Sequence, residues 1–344
     1  QSNQETKILL VMDQGFYDLH TNLADEIKQW FTFHKHLHLK NIFIVSGGEE
    51  IKNSQDTLQS IWNEIHQHDI CKHSFVACIG GGSLLDVCGF ACATAHRGIP
   101  LIRIPTTLLA MDDSAAGVKN SINYFHKKNF IGTFTPPYCV INDIKFLESL
   151  GHRDWLSGIA EAIKVALIRD SAFFHYIESN DNLILNRDKD AVLKLVERSA
   201  ELHLNHIASG DPFERTSSRP LDFGHWMAHA LEQKSNYSIK HGEAVAAGIA
   251  LDVMYSFHAG FLPEDECNRI LKLFRNFGFT IYYSYMEDII HERKNNQVKA
   301  MEEFREHLGG ELTITMLEGI GKGMDIHSIQ LAVLIRSLQE LKIA

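Results

Sequence analysis

The sequence predicts an α/β protein: a Rossmann-like, doubly wound parallel sheet in the first half, joined to an all-helical second half. Three observations predict it. Up to about residue 145, short apolar β-rich runs alternate with helical patterns. Beyond Asp154 the apolar residues recur at helical spacing, and a glycine triplet stands where a strand ends and a helix begins. The expected strands are 8–12, 41–46, 75–79, 101–104 and 139–141, and the clearest helices of the second half are 155–168, 191–208, 223–234, 243–259 and 327–341. The hinge Ser149-Leu150-Gly151 sets the boundary, giving an α/β domain over 1–150 and a helical domain over 151–344.

At 344 residues and 45% hydrophobic, the chain is long enough for two cores, and no apolar run approaches the roughly 20 residues that span a bilayer. The opening Gln1-Ser2-Asn3 shows no charged-then-apolar leader, so secretion has no support. Six cysteines without a CxxC pair read as free thiols in a reducing cytoplasm. A net charge of −10 without a Lys/Arg stripe argues against nucleic acid or an anionic membrane as partner.

The run 75–79 leads into Gly80-Gly81-Gly82-Ser83 and then a helical pattern. Glycines let backbone approach a diphosphate, and the N–H groups of a following helix favour its charge, so a dinucleotide is the natural ligand. The alternative is a tight turn that needs positive φ. Asp86, one turn into the helix, suits a ribose or substrate hydroxyl or a simple helix-start charge. Arg97, Thr106, Thr107, Asp113, Lys119, Asn123, Lys128 and Asn129 are expected at or beyond the carboxyl ends of the later strands, where open α/β sheets bind ligands. Lys119 and Lys128 sit in a loop-like stretch with Asn120, Asn123 and Gly132, a composition that grips phosphate or sugar oxygens; each lysine singly reads equally as a solvated charge. Pro105-Thr106-Thr107 presents two hydroxyls at a strand end.

Glu161 and Lys164 lie on one face of an otherwise apolar helix, and buried charges there need partners. His225 and His229 are four apart at a helix start, and His241-Gly242-Glu243 opens the next helix. Two or three imidazoles and a carboxylate make a catalytic zinc set with an open position, and from spacing alone His225 and His229 are the natural chelating pair.

Together these segments resemble the dehydroquinate synthase family, the sugar phosphate cyclases, over residues 40–260. The resemblance is carried by Gly80-Gly81-Gly82-x-x-x-Asp86, Arg97-Gly98, Pro105-Thr106-Thr107-Leu108-Leu109-Ala110, Asp113 with Lys119, and Lys128-Asn129-x-x-Gly132. In the second half it is carried by Gly158-x-Ala160-Glu161-x-x-Lys164, Gly224-His225-x-x-x-His229-Ala230-x-Glu232 and His241-Gly242-Glu243-Ala244-Val245. It implies a metal, Zn2+ or Co2+, on Glu161, His225 and His241, with His229 facing the phosphate or substrate instead. It implies NAD on Gly80, Gly81 and Gly82, with Glu49, Lys52, Asp86, Thr106 and Thr107 around it. Lys119, Lys128, Asn129 and Lys164 resemble substrate and phosphate contacts, and Arg97 resembles an arginine that reaches a neighbouring subunit's phosphate, so a homodimer is expected. The implied chemistry is hydride removal from a ring hydroxyl polarised by the metal and Lys119 or Lys164, phosphate elimination, hydride return, ring opening and aldol closure, with NAD unchanged overall and Asp113 orienting a hydroxyl or lysine.

Where dehydroquinate synthases carry an Asn three residues, and an Arg seven residues, before the first metal histidine, this chain has Asp222 and Ser218, with Arg219 shifted by one. Asp222 would repel a substrate carboxylate and accept from a hydroxyl. In this it resembles the cyclases of sedoheptulose 7-phosphate, such as 2-epi-5-epi-valiolone synthases, and the run from Arg219 to His225 resembles the EboD-type relatives. The expectation is a cyclase that converts a C7 ketose phosphate, sedoheptulose 7-phosphate favoured, to a cyclitol. The alternatives are a 3-dehydroquinate synthase, a metal-dependent polyol dehydrogenase of the glycerol type, and a non-catalytic degenerate cyclase.

Overall fold

The computed structural model describes residues 5–125, 127–208, 213, 216–294 and 297–343. The chain divides into two compact units, Gln1–Gly151 and His152–Ala344.

The first unit runs β1 (Thr6–Asp13), α1 (Gln14–Leu19), α2 (Leu23–Phe33), β2 (Leu37–Val45), α3 (Gln55–Gln67), β3 (Phe75–Gly80), α4 (Gly82–Thr94), β4 (Leu101–Pro105), β5 (Lys119–Tyr124), β6 (Lys127–Phe134) and β7 (Cys139–Val140). Five strands pair in parallel in the order β2-β1-β3-β4-β7, all five foreseen from their apolar runs. The central strand β3 is buried on both faces, as a doubly covered parallel strand must be. Helix α4 is buried almost all round, which explains its lack of a polar stripe.

Two expectations for this unit are corrected. Lys119 and Lys128 are not on a loop: they lie on β5 and β6, an antiparallel hairpin. Its signal is masked by polar residues: Ile122 and its cross-strand partner Ile131 reach the apolar core, and polar contacts supply much of the rest. Asn120 packs so tightly against α4 that any side chain at Gly89 would overlap its Oδ1, and a Cβ at Gly132 would come 2.8 Å from the Asn120 carbonyl. Arg97 is not at the carboxyl ends of the strands. It follows α4, which starts at the carboxyl end of β3 and runs about 20 Å back along the sheet, so Arg97 reaches the amino end of β4. A crossover helix returns the chain to the opposite end of the strands, and a residue behind it goes there too.

The second unit runs α5 (His152–Arg169), α6 (Ser171–Ser179), α7 (Asp181–Leu185), α8 (Lys189–Ala208), α9 (His225–Lys234), α10 (His241–His258), α11 (Glu264–Asn276), α12 (Tyr285–His291), β8 (Arg293–Lys294), β9 (Gln297–Val298), α13 (Lys299–His307), β10 (Ile314–Gly319), β11 (Lys322–Ile326) and α14 (Leu331–Ile343). It is helical, as its periodicity foretold, with one addition to the all-helical expectation: the antiparallel hairpins β8–β9 and β10–β11. Strand β10 is a short buried apolar run, which pattern alone does not separate from a helix segment. Helices α5 and α10 are buried along nearly their whole length and form the centre of the unit. No described helix is long and apolar enough to cross a membrane.

Candidate active site

The glycine loop of the first unit leads into α4 with Gly81 as the residue before its first turn, and no side chain caps that turn. Its leading N–H groups are therefore available to an anion. None of Gly80, Gly81 and Gly82 has positive φ, so the tight-turn alternative falls. What the triplet supplies is room: a Cβ on Gly81 would lie 3.3 Å from Thr107 Cγ2, and one on Gly82 would lie 2.8 Å from Ser114 Oγ. Thr106 is buried, its N–H on the Gly80 carbonyl at 3.0 Å, and Thr107 Oγ1 accepts the Ala110 N–H at 3.2 Å. The asparagine, acid and lysine singled out from sequence converge. Lys52, 3% exposed, donates to Asp86 Oδ2 at 2.6 Å and to Asn129 Oδ1 at 2.5 Å, and Ser121 Oγ donates to the same Asn129 oxygen at 2.9 Å. Asn129 is thus tied to Lys52 as well as standing beside Lys128. Glu49 accepts from Ser83 Oγ at 2.6 Å and lies 3.8 Å from Lys128 Nζ. Asp113 sits half-buried in a widened turn, Ala110–Ser114, and Lys119 opens β5 with its side chain exposed.

Sequence reasoning passed over Arg103. Fully buried on β4, it donates to the carbonyls of Ala115 at 3.0 Å, Gly117 at 2.8 Å and Lys119 at 3.1 Å, and to Asn120 Oδ1 at 2.6 Å. One guanidinium thereby holds the whole segment that presents Lys119. A charged residue inside an otherwise apolar strand was its signal. Asp13 was missed as well: its carboxylate caps α1 through the Phe16 N–H at 2.8 Å, and a Cβ on Gly80 would meet its Cβ at 3.4 Å.

In the second unit Glu161, His225 and His241 form a group whose ligand atoms all lie within 4.8 Å of one another. Glu161 Oε1 is 3.8 Å from His225 Nε2 and 3.5 Å from His241 Nε2, and its other oxygen takes Lys164. Glu161 and Lys164 are 0% and 2% exposed. His229 does not belong to the group, so the chelating pair suggested by spacing alone is set aside. Its ring stands 5.5 Å from that of His225 and 6.4 Å from that of His241.

Each imidazole of the group is oriented through its far nitrogen. His225 Nδ1 lies 3.1 Å from the Phe223 carbonyl, and His241 Nδ1 lies 3.1 Å from Glu232 Oε2. Both acceptors call for a proton on Nδ1, which leaves Nε2 as the lone-pair donor to a metal. Burial, and then the Lys164 charge, lower the His225 pKa and keep it in the neutral, ligating form. Local structure fixes these positions. A side chain at Gly242 would overlap Ser157 Cα, so the start of α10 touches α5 backbone to backbone and brings His241 beside Glu161. Gly224, at φ +79°, is the left-handed residue that starts α9 and so places His225. Arg219 and Asp222 lie in the turn before it, and the charge of Asp222 is felt by His225. Hairpin β10–β11 supports that turn's approach: Ser218 Oγ donates to Asp325, and Ser217 Oγ accepts from Thr313 Oγ1 at 2.9 Å. The donor set of two nitrogens and one carboxylate oxygen fits a catalytic divalent metal.

Known proteins match both halves of the chain. Residues 42–157 match the 3-dehydroquinate synthase N-terminal domain family, and residues 158–302 match its C-terminal counterpart. The 3-dehydroquinate synthase of Geotalea uraniireducens (strain Rf4) is 37% identical over 257 residues, 73% of this chain and 71% of that protein. Among solved structures, ValA, the 2-epi-5-epi-valiolone synthase of Streptomyces hygroscopicus subsp. jinggangensis 5008, determined with NAD+ and Zn2+ bound, superposes with a TM-score of 0.88 at 25% identity, covering 99% of this chain and 92% of its own. A probable glycerol dehydrogenase from Sinorhizobium meliloti 1021 shares the fold at a TM-score of 0.54 and 13% identity, covering 99% and 91%. With its two halves matched in sequence and its architecture matched end to end, this chain belongs to the 3-dehydroquinate synthase family of sugar phosphate cyclases.

Proposed function

We propose that the chain is an NAD- and divalent-metal-dependent cyclase, a carbon–oxygen lyase that converts a C7 ketose phosphate, sedoheptulose 7-phosphate favoured, to a cyclitol with loss of phosphate. The observation that carries the substrate choice is Asp222. It stands two residues ahead of Gly224, close enough for its charge to act on His225, where the carboxylate-binding relatives have an asparagine. An anion there disfavours a substrate carboxylate and accepts from a hydroxyl.

When bound, NAD would accept and later return a hydride, and Zn2+ or Co2+ on Glu161, His225 and His241 would polarise the hydroxyl being oxidised. The chain's own residues do the rest. The uncapped start of α4 at Gly80, Gly81 and Gly82 receives the diphosphate, and Asp86, held by Lys52, is set to accept from a ribose hydroxyl. Thr106, Thr107 and Glu49 line the same loop. Lys164, its ammonium clamped on Glu161, can donate to the oxygen of the hydroxyl under oxidation and steady the negative charge that develops there. Lys119 and Lys128 offer cations to phosphate, with Asn129 beside them, and Asp113 orients a hydroxyl. His229, which the ligand group leaves out, can exchange a proton with the substrate or its departing phosphate, and Arg219 flanks the same turn as Asp222. Arg97, carried to the amino end of the sheet, is suited to a second copy of the chain, which supports a homodimer. Free thiols at all six cysteines suit the cytoplasm.

A second reading, 3-dehydroquinate synthase, is favoured by the name its sequence relatives carry. The test is phosphate release by the NAD- and Zn2+-loaded protein from sedoheptulose 7-phosphate and from 3-deoxy-arabino-heptulosonate 7-phosphate. Release from the first alone supports the proposal, whereas release from the second alone establishes the rival. NAD reduction by a polyol without phosphate release would make it a dehydrogenase. Bound NAD and Zn2+ without turnover of any phosphorylated ketose would make it a degenerate cyclase.

A further inference from the structure

We propose that Asp252 is a positioning residue of the metal centre: its buried carboxylate fixes the backbone turn that delivers His225 to Glu161 and His241. The inference rests on the metal-centre reading above.

Asp252 lies on α10 and is 0% exposed. Both of its oxygens are used on the start of α9. Oδ2 accepts the Gly224 N–H at 3.1 Å, and Oδ1 accepts the Trp226 indole N–H at 2.9 Å. His225 is the residue between those two donors. The turn also rests directly on α10: a Cβ on Gly224 would come 2.7 Å from the Ile249 nitrogen, and one on Gly248 would overlap the Gly224 carbonyl. Backbone contact therefore supports the turn from one side while the carboxylate grips it on both flanks of the ligand. The Phe223 carbonyl that orients the His225 ring at 3.1 Å belongs to the same turn. A rotation about Gly224 would displace the backbone of His225 and the anchor of its imidazole together.

The choice of residue is informative. Both donors are neutral, and burial lifts the Asp252 carboxyl up to about 7 against two hydrogen bonds that pull it down. An apolar side chain of similar size would fill a helix–helix contact without that desolvation cost. Packing alone does not call for an acid here; two N–H groups that must be held at fixed places do.

The experiment measures Zn2+ affinity by chelator competition at about pH 8, where a carboxyl of this kind is ionised, with the visible d–d absorption of the Co2+-substituted protein alongside. Wild type, Asp252→Asn and Trp226→Phe are compared, and the melting temperature of each metal-free protein is recorded. Asp252→Asn is expected to weaken Zn2+ binding about tenfold or more and to shift the Co2+ bands. Trp226→Phe removes one of the two bonds and is expected to weaken Zn2+ binding about threefold. Wild-type Zn2+ affinity and an unchanged Co2+ spectrum in Asp252→Asn would overturn the proposal whatever the change in melting temperature, since a merely structural role moves only the latter. Should Asp252→Asn not fold, an unchanged affinity and spectrum in Trp226→Phe would overturn it. A wild type that binds no Zn2+ would instead defeat the metal-centre reading itself, and this inference with it.

Discussion

The glycines of the anion-binding loop and those around the metal cluster face different neighbours. In the loop of the first unit, a Cβ on Gly80, Gly81 or Gly82 would meet side chains: Leu84 Cδ2 at 2.9 Å, Thr107 Cγ2 at 3.3 Å and Ser114 Oγ at 2.8 Å. Around the metal cluster of the second unit, Gly242 would meet the Ser157 carbonyl at 2.5 Å, Gly224 would meet the Ile249 nitrogen at 2.7 Å, and Gly248 would overlap Gly224. Side chains can rotate away; backbone can yield only by moving a helix. The first unit therefore presents its anion-binding loop with some tolerance, while the second fixes its ligands by helices in direct contact.

The comparison can be broken by any substitution in one unit that disturbs the function of the other. Lys52→Met should have the largest effect. Removing a buried cation while Asp86 and Asn129 stay behind should cost about 3–5 kcal/mol of stability. Denaturant unfolding with parallel titrations should show NAD affinity falling with it and Zn2+ affinity unchanged. Gly242→Ala should cost about 3 kcal/mol, because α10 must lift from α5. It should lower Zn2+ affinity while NAD binding, followed by fluorescence, is retained. Glu232→Leu takes the acceptor from His241 Nδ1 and should weaken Zn2+ about 10- to 100-fold, and Glu232→Gln, which keeps an acceptor, should recover part of the loss.

Gly82→Ala is the counterpart of Gly242→Ala in the other unit. The clash is with a hydroxyl that can turn, and a helix gains about 1 kcal/mol from alanine over glycine, so its stability should stay within about 1 kcal/mol of wild type. Melting as severe as that of Gly242→Ala would erase the distinction. The smallest effect on either site is expected at Asp170, which caps α6 through the Phe173 N–H at 3.0 Å and takes Arg198 Nε at 2.8 Å. Burial raises its pKa, but these partners outweigh burial and leave it below the ordinary 3.8. The folded state thus favours the ionised form, and the stability this contributes is present above the ordinary value and lost as pH falls through the lowered one. Asp170→Ala should cost about 1 kcal/mol at neutral pH, lose that acid sensitivity in urea titrations, and leave Zn2+ affinity unchanged.

The same contrast explains what was legible in the sequence. The strands of the parallel sheet and the long helices announced themselves by periodicity, because each buries an apolar face. The glycine triplet was visible as a motif, although its reason, space rather than positive φ, was not. Glu161, His225 and His241 are scattered over three helices, and spacing alone pointed to His225 with His229; the family resemblance supplied the set that the geometry gathers. Hairpin β5–β6 was hidden because hydrogen bonds from Arg103 and Asn120 help hold it and its apolar contact with the core is as small as Ile122 and Ile131. Arg97 was misplaced because an ordered crossover helix moves it to the amino end of the strands. Asp252 acts on other residues, so no local pattern marks it, and Glu232 stood in the family motif without its role on His241.

The central claim is that Asp222, beside the metal ligands of the second unit, selects a hydroxylated rather than a carboxylated ketose phosphate. Its most direct test is the ratio of kcat/KM for sedoheptulose 7-phosphate over 3-deoxy-arabino-heptulosonate 7-phosphate, in wild type and in Asp222→Asn, both loaded with Zn2+ and NAD. The account predicts a wild-type ratio well above one that falls about tenfold or more in the variant, the worth of one like-charge contact. A wild type that prefers the carboxylated sugar, or a ratio that Asp222→Asn leaves unmoved, would contradict it.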